Sequence, residues 1–106
     1  MINLRYTPDA EDDLIEIKDY ISEELNNPEA AIRIITTIAK RIRELQSFPL
    51  MGLNMSSIID IETDYRYLVC GDYLAFYRID EQNISIIRVL NGKRDYLKIL
   101  FGNLSY

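Results

Sequence analysis

The stretch YRYLVCGDYLAFYRIDEQNISIIRVL, residues 65–90, decides the fold class of this chain. It contains three runs rich in β-branched and aromatic residues, and such runs predict β-strands. The runs are 65–70, 73–79 and 84–90. Gly71-Asp72 and the polar residues 80–83 separate them, and these residue types favour tight reversals of the chain. The stretch therefore predicts a β-meander.

The loop lengths also predict which side chains share a side of the sheet. Residues that flank a two-residue loop face each other, so Arg66 opposes Tyr77, and a second loop over 80–83 sets Ala75 opposite Arg88. One side then carries Arg66, Tyr73, Tyr77 and Arg88, and the other carries Tyr65, Tyr67, Val69, Leu74, Phe76, Ile87 and Val89. The second side is the more apolar, so we expect the helices to cover it and to leave the arginine side open.

Two amphipathic helices are predicted ahead of the meander. Thr7 and Asn27 are N-cap residues, each followed by a proline, which is a common start of a helix. The apolar stripes are Ala10, Leu14, Ile17, Ile21 and Leu25 in the first helix, and Ala31, Ile34, Ile35, Ile38, Ile42 and Leu45 in the second. This spacing places each stripe on one helix face. We expect the two helices to form an antiparallel hairpin.

The full pattern predicts an α+β fold in a single domain over residues 1–106. A short strand over 2–6 precedes the helices, and another within 58–61 follows them. Asp95 caps a short C-terminal helix that ends at Gly102. The predicted order is β-α-α-β-β-β-β with the short helix last, and the helical hairpin packs on one side of a small twisted antiparallel sheet.

The composition narrows the possible chemistry. The chain has no histidine and one cysteine, which excludes a Ser-His or Cys-His nucleophile pair, a histidine-ligated zinc site and an internal disulfide. Cys70 lies in an apolar run, where a small buried side chain is expected.

The sequence predicts a cytoplasmic protein without membrane contact. It has neither an apolar run of roughly 20 residues nor a signal peptide. The net charge of -5 disfavours nonspecific binding of nucleic acid.

Several cations are predicted near one end of the sheet. The stretch VLNGKRDY, residues 89–96, ends the last strand and places Lys93 and Arg94 just beyond it. Arginine binds phosphate and carboxylate groups bidentately, so we expect this end of the sheet to bind an anion or the carboxylates of a protein partner. The candidate binding residues are Arg66, Tyr77, Arg88, Lys93 and Arg94. The alternative is that the arginines are solvated or stacked on tyrosines.

Six segments of the chain, in this order and spacing, resemble the RelE/ParE superfamily, the toxins of type II toxin-antitoxin systems. The segments are LIEIKDYI (14–21), NPEAA (27–31), LQSFPLMG (45–52), YRYLV (65–69), YLAFY (73–77) and RVLNGKRDY (88–96). The set spans nearly all of the chain. The resemblance implies a small α+β fold and a cognate antitoxin, whose C-terminal segment wraps over the toxin in a hetero-oligomer.

Two activities occur in this superfamily, and the resemblance implies neither a metal ion nor a cofactor. RelE-like members cut mRNA in the ribosomal A site with basic side chains and a tyrosine, whereas ParE-like members bind DNA gyrase and trap its cleaved DNA complex. By resemblance, Arg66 and Arg94 match ribonuclease positions, and Tyr96, two residues beyond Arg94, is the candidate for the tyrosine. These three are the catalytic residues expected if the chain is RelE-like. The resemblance leaves open whether the chain is an enzyme. A third alternative is an inactive relative that only binds protein.

Departures from the RelE pattern favour the ParE-like branch. RelE-like members carry lysines nine and seven residues before the first arginine and a tyrosine six residues after the second, where this chain has Ser57, Ile59 and Leu100. The Asn-Pro turn between two long helices and the Arg-Asp-Tyr segment resemble ParE-like members. We therefore expect a gyrase-binding toxin rather than a ribosome-dependent endonuclease.

Overall fold

The strands and helices follow one another in the predicted order. A computed structural model describes residues 2–102. Its strands are β1 (Asn3–Tyr6), β2 (Leu53–Asn54), β3 (Arg66–Cys70), β4 (Tyr73–Ile79) and β5 (Asn83–Asn91), and its helices are α1 (Pro8–Asp19), α2 (Pro28–Arg43) and α3 (Tyr96–Phe101). The predicted α+β class and the element order are confirmed. The last residues, 103–106, lie outside the described part of the chain.

The helices begin where the sequence predicts. The side chain of Thr7 accepts a hydrogen bond from Ala10 N at 3.1 Å, and that of Asn27 accepts one from Ala30 N at 3.1 Å. Asp95 caps α3 in the same way, and Gly102 ends it. Each cap satisfies a backbone N–H that the first helical turn leaves without a partner.

Helices α1 and α2 form the predicted hairpin. The chain continues from α1 through a π-helical turn, Tyr20–Glu24, and reverses at Asn26, whose φ of 49° is left-handed. Buried Ile21 and Ala31 pack together at this end of the hairpin. No helix within residues 2–102 is long and apolar enough to cross a membrane.

The sheet is mixed rather than wholly antiparallel. Its strand order is β1-β5-β4-β3-β2, and β1 runs parallel to β5 while every other pair is antiparallel. The hairpin of α1 and α2 separates β1 from the meander, and such a long crossover is what a parallel pairing requires. The short strand after the helices is β2, at Leu53–Asn54. We predicted this strand within 58–61, so it begins earlier in the chain than expected.

The predicted register holds until a bulge interrupts it. Arg66 opposes Tyr77 as predicted, and Tyr77 opposes Ile86. The preceding residue of β4, Phe76, opposes Arg88, so Ile87 is the extra residue of a β-bulge. The prediction that Ala75 opposes Arg88 is therefore wrong, since Ala75 opposes Val89.

The prediction of which side of the sheet the helices cover is also wrong. The main core joins the helices to the side that we expected to be open. Its sheet residues are Leu68, Cys70, Ala75, Tyr77, Ile84 and Ile86, and its buried helical residues are Ala10, Ile38 and Ile42. Val89, which we predicted on the other side, also belongs to this core, because the bulge pairs it with Ala75. The small side chains of Ala10, Ala75 and Cys70 allow the helices to approach this side closely.

The opposite, more aromatic side is covered by other elements. Met55, Phe76 and Leu90 form a second core there, and residues of α3 pack against it. A short helix and one 3-10 turn at Met55–Ser57 therefore take the place that we assigned to the helical hairpin.

We expect Cys70 to be almost unreactive in the folded chain. The residue is 5% exposed, and burial raises the pKa of its thiol to about 11. A thiol reagent at pH 8 should therefore modify the native chain at least about 100-fold more slowly than the unfolded chain, because the thiolate is the reactive form. The same reaction in concentrated guanidinium chloride is the control. Equal rates would show that the β3 end of the core is open to solvent.

Candidate functional site

A buried carboxylate joins α1 to β5. Asp13 is 4% exposed, and its Oδ2 accepts hydrogen bonds from Arg88 Nε at 2.7 Å and from Val89 N at 2.9 Å. Its Oδ1 accepts a third from Arg88 Nη2 at 2.8 Å. Both carboxylate oxygens are thus satisfied, which a buried charge requires.

This pairing removes Arg88 from the open surface that we predicted. The hydrogen bonds to Asp13 raise the pKa of Arg88, and its guanidinium remains charged. Its bidentate face is already used by a carboxylate of the same chain. In this structure Arg88 therefore attaches a helix to the sheet.

A second polar assembly attaches the loop after α2 to the sheet. Arg66 Nη2 donates to the carbonyl oxygens of Gly52 at 2.6 Å and Leu50 at 3.1 Å. The hydroxyl of buried Tyr77 donates to Pro49 O at 2.8 Å and accepts from Gly52 N at 3.0 Å. Arg66 and Tyr77 are cross-strand partners, and both bind the backbone of residues 49–52.

Only glycine fits at the centre of this assembly. A Cβ added to Gly52 would lie 2.5 Å from the Tyr77 hydroxyl and 2.6 Å from the Tyr67 carbonyl oxygen. The second distance involves backbone, which cannot move aside without breaking the sheet. The missing side chain is what allows the loop to approach Tyr77.

The exposed cations Lys93 and Arg94 line an open pocket at the other end of the meander. The pocket has a volume of about 500 Å³ and lies between α1 and the end of β5. Facing the two cations are Glu16, Ile17 and Tyr20 of the first helix and its π-helical turn. Cations, an acid, a tyrosine and apolar carbon thus meet at one accessible surface, a combination that suits a protein partner.

The turn that carries these cations is held by Asn91. Its side chain accepts a hydrogen bond from Lys93 N at 2.9 Å, and its carbonyl accepts one from Arg94 N at 3.0 Å. Tyr96 lies two residues farther on, where its ring packs on Phe76 with the centroids 5.3 Å apart. Tyr96 therefore belongs to the core under α3.

The predicted site residues do not converge on one point. Arg66 opposes Tyr77 near one end of the meander, whereas Asn91 opposes Tyr73 at the other. Four residues of strand separate the two levels, which is about 13 Å at 3.3 Å per residue. Lys93 and Arg94 share the pocket, while Arg66, Tyr77 and Arg88 each bind groups within the chain.

A comparison with protein-family models identifies the family of the chain. The model of the ParE toxin of type II toxin-antitoxin systems, parDE, matches residues 4–96. The chain belongs to this family. This match confirms the resemblance to the RelE/ParE superfamily that the six sequence segments predicted. It also confirms that the chain is nearer to the ParE-like branch.

Solved structures are similar to this ParE-family chain over most of their length. A chain of the chromosomal ParDE system from P. aeruginosa is 26% identical with a TM-score of 0.73, over 86% of this chain and 96% of that one. The RelBE2 toxin-antitoxin complex of Mycobacterium tuberculosis contains a chain that is 22% identical with a TM-score of 0.63, over 85% and 96%.

The E. coli DinJ-YafQ complex gives 13% identity and a TM-score of 0.51, over 96% of this chain and 100% of that one. The M. tuberculosis and E. coli similarities show the fold alone. No curated protein sequence matches the chain.

Asp13 is the site residue that sequence reasoning missed. It lies three residues after Ala10 and four before Ile17, which places it on the apolar stripe of α1. An acid inside such a stripe is a sign of a buried ion pair. That sign was present in the sequence, and it would have predicted a cation on the facing strand.

Removal of the Tyr77 hydroxyl should loosen the loop and lower stability. We expect Tyr77→Phe to reduce the free energy of unfolding by about 1–3 kcal/mol, because Gly52 N–H and Pro49 O lose their partner in a buried place. Urea denaturation measures the change. Tyr67→Phe is the matched control, since the Tyr67 hydroxyl makes no hydrogen bond within residues 2–102. An equal effect of the two substitutions would contradict the role given to Tyr77.

Proposed function

We propose that this ParE-family chain is a growth inhibitor that acts by binding DNA gyrase, and that a cognate antitoxin neutralises it. The observation that carries the proposal is that Arg66, which matches one ribonuclease position, binds the backbone of the chain itself, far from Arg94, which matches the other. A metal-free nuclease of the RelE type needs basic side chains and a tyrosine around one scissile phosphate. This chain holds the matching residues apart.

Arg66 is already engaged within the chain. Its Nη2 donates to two backbone carbonyls of the loop, and its Nε is buried without a hydrogen-bond partner in the described residues. If the guanidinium turned toward a substrate, the carbonyl oxygens of Leu50 and Gly52 would lose the hydrogen bonds that Arg66 donates to them. This arrangement supports a structural role for Arg66.

The other two candidate catalytic residues do not join Arg66. Arg94 lies at the far end of the meander, and the Tyr96 ring packs against Phe76. Ser57 and Ile59 stand where the RelE pattern has lysines. A general base within hydrogen-bond reach of a ribose hydroxyl is the first requirement of this cleavage, and these positions do not provide one. Binding is the function that this set of side chains supports.

Lys93 and Arg94 are the cations of the predicted binding set that remain exposed for a target. They line the pocket of about 500 Å³ beside Tyr20 and Tyr73. Arginine and tyrosine are enriched in the energetically important parts of protein interfaces. We assign this pocket to the gyrase contact.

A groove at the β1 edge suits the antitoxin. It has a volume of about 660 Å³ and is lined mainly by apolar side chains of β1, α1 and α2. They are Leu4, Tyr6, Leu14, Ile15 and Ala39, with Arg5, Glu11 and Arg43 among them. Since β5 pairs with only one side of β1, an extended antitoxin segment can add to its other side. The relatives from P. aeruginosa, M. tuberculosis and E. coli were solved as toxin-antitoxin systems or complexes, which supports an antitoxin partner.

The purified chain is expected to inhibit DNA supercoiling by gyrase and to increase the amount of cleaved DNA. Replacing both Lys93 and Arg94 by alanine should weaken the inhibition about tenfold, because two exposed charges at a protein interface are lost. Lys18→Ala combined with Lys40→Ala is the matched control, since it removes two exposed lysines elsewhere and should leave inhibition unchanged.

Unaltered supercoiling at saturating concentrations of the chain would contradict the gyrase proposal. Cleavage of mRNA in the ribosomal A site, lost in Arg66→Ala, would instead assign the RelE-like activity. Expression of the chain without an antitoxin distinguishes the two toxin activities from an inactive relative. A gyrase inhibitor or an mRNA endonuclease stops growth, whereas an inactive relative leaves growth unchanged.

A further inference from the structure

The loop from Phe48 to Leu53 presents large apolar side chains to solvent. Phe48 is 66% exposed, Leu50 70% and Leu53 56%. Three such residues within six positions are more than the scattered apolar residues of an ordinary surface. With typical side-chain areas they expose roughly 300–400 Å² of apolar surface together, the size of the largest patch on many small proteins.

The backbone of this loop is held from inside the molecule. The carbonyl oxygens of Pro49, Leu50 and Gly52 accept hydrogen bonds from Tyr77 or Arg66. Met51 N donates to Phe48 O at 3.0 Å, and Phe48 N donates to Glu44 O at 3.0 Å. The apolar side chains therefore project from a fixed backbone, and little conformational entropy is lost when a partner binds them.

The strand edge beside the loop is also open. Strand β2 pairs with β3 only at Arg66 and Tyr67, so the outer edge of β3 beyond Tyr67 has no strand partner in the described residues. Val69 lies there and is 51% exposed. Its carbonyl receives a long hydrogen bond of 3.4 Å from Arg41 Nε. Backbone groups and apolar side chains thus extend the same surface.

We propose that this loop, Phe48 to Leu53, is a gyrase-binding surface of the chain. The inference rests on the proposed function and adds a second contact to the pocket of Lys93 and Arg94. Projecting side chains need a partner with preformed apolar pockets, which a folded enzyme provides and an extended antitoxin segment does not. The antitoxin groove lies at the opposite edge of the sheet, about 19 Å away across four strand spacings.

The area of the patch favours a large partner over a second copy of the chain. A symmetric contact between two such loops buries roughly 700 Å² in total, whereas specific interfaces bury about 1,200–2,000 Å². A large target protein can supply the remaining area around the three anchors. The fixed loop then acts as the central part of the interface, where most binding energy is concentrated.

The test compares two double variants that each replace two exposed apolar residues by serine. One is Phe48→Ser with Leu50→Ser, and its control is Leu25→Ser with Ile32→Ser, residues that are 56% and 63% exposed. We expect the loop variant to bind purified gyrase at least about 30-fold more weakly than the unmodified chain. The control variant should bind gyrase normally, and both variants should keep their melting temperature and their affinity for the co-expressed antitoxin.

Each outcome decides a different point. If the unmodified chain binds gyrase and the loop variant binds it equally well, the loop is not the docking surface, although the proposed function stands. If the unmodified chain does not bind gyrase at all, the proposed function fails and this assignment fails with it. If the unmodified chain is a dimer that the loop substitutions convert to a monomer, the occupant is a second copy, and the proposal is overturned.

Discussion

The arrangement of the whole chain depends on one buried carboxylate. Strand β1 pairs with β5 only as far as Ile86, and beyond that point α1 lies along the same edge. Asp13 then accepts the Val89 N–H that a strand would otherwise bind, and it neutralises Arg88. Nearby, the hydroxyl of Thr7 donates to Ile87 O at 2.8 Å while it caps α1. Two side chains of one segment therefore continue the hydrogen bonding of β5 beyond the end of β1.

The internal hydrogen bonds of these polar side chains support the proposal that the chain acts by binding rather than by catalysis. Two arginines of the predicted binding set are used within the fold, Arg88 by a carboxylate and Arg66 by backbone carbonyls. Their use leaves Lys93 and Arg94 as the exposed members of the predicted set. The hydrogen bonds from Arg66 also fix the loop that presents Phe48 and Leu50 to solvent. A toxin that acts by binding another protein needs exposed surfaces with a fixed shape, and it does not need catalytic groups.

Local features of the fold could be predicted from the sequence, whereas its long-range features could not. Thr7, Asn27 and Asp95 act on neighbouring backbone groups, so their capping roles follow from sequence position alone. The register failed at Ile87, because a bulge depends on what packs beside the strand and leaves no mark in a β-rich run. The wrong prediction of the side that the helices cover has two causes. One is the same error of register, and the other is that apolar residues were counted without considering Asp13. The loop at Gly52 could not be predicted, since Arg66 and Tyr77 reach it from strands that are 14 and 25 residues away.

The most direct test is a double-mutant cycle on Asp13 and Arg88, with the free energy of unfolding measured by urea denaturation for Asp13→Ala, Arg88→Ala and the pair. If the carboxylate attaches α1 to the sheet through this arginine, each single substitution leaves a buried group without its partner. The coupling energy should then be about 2 kcal/mol or more. Effects that add to within about 0.5 kcal/mol would show that the two residues act independently and would contradict the central place given to their contact.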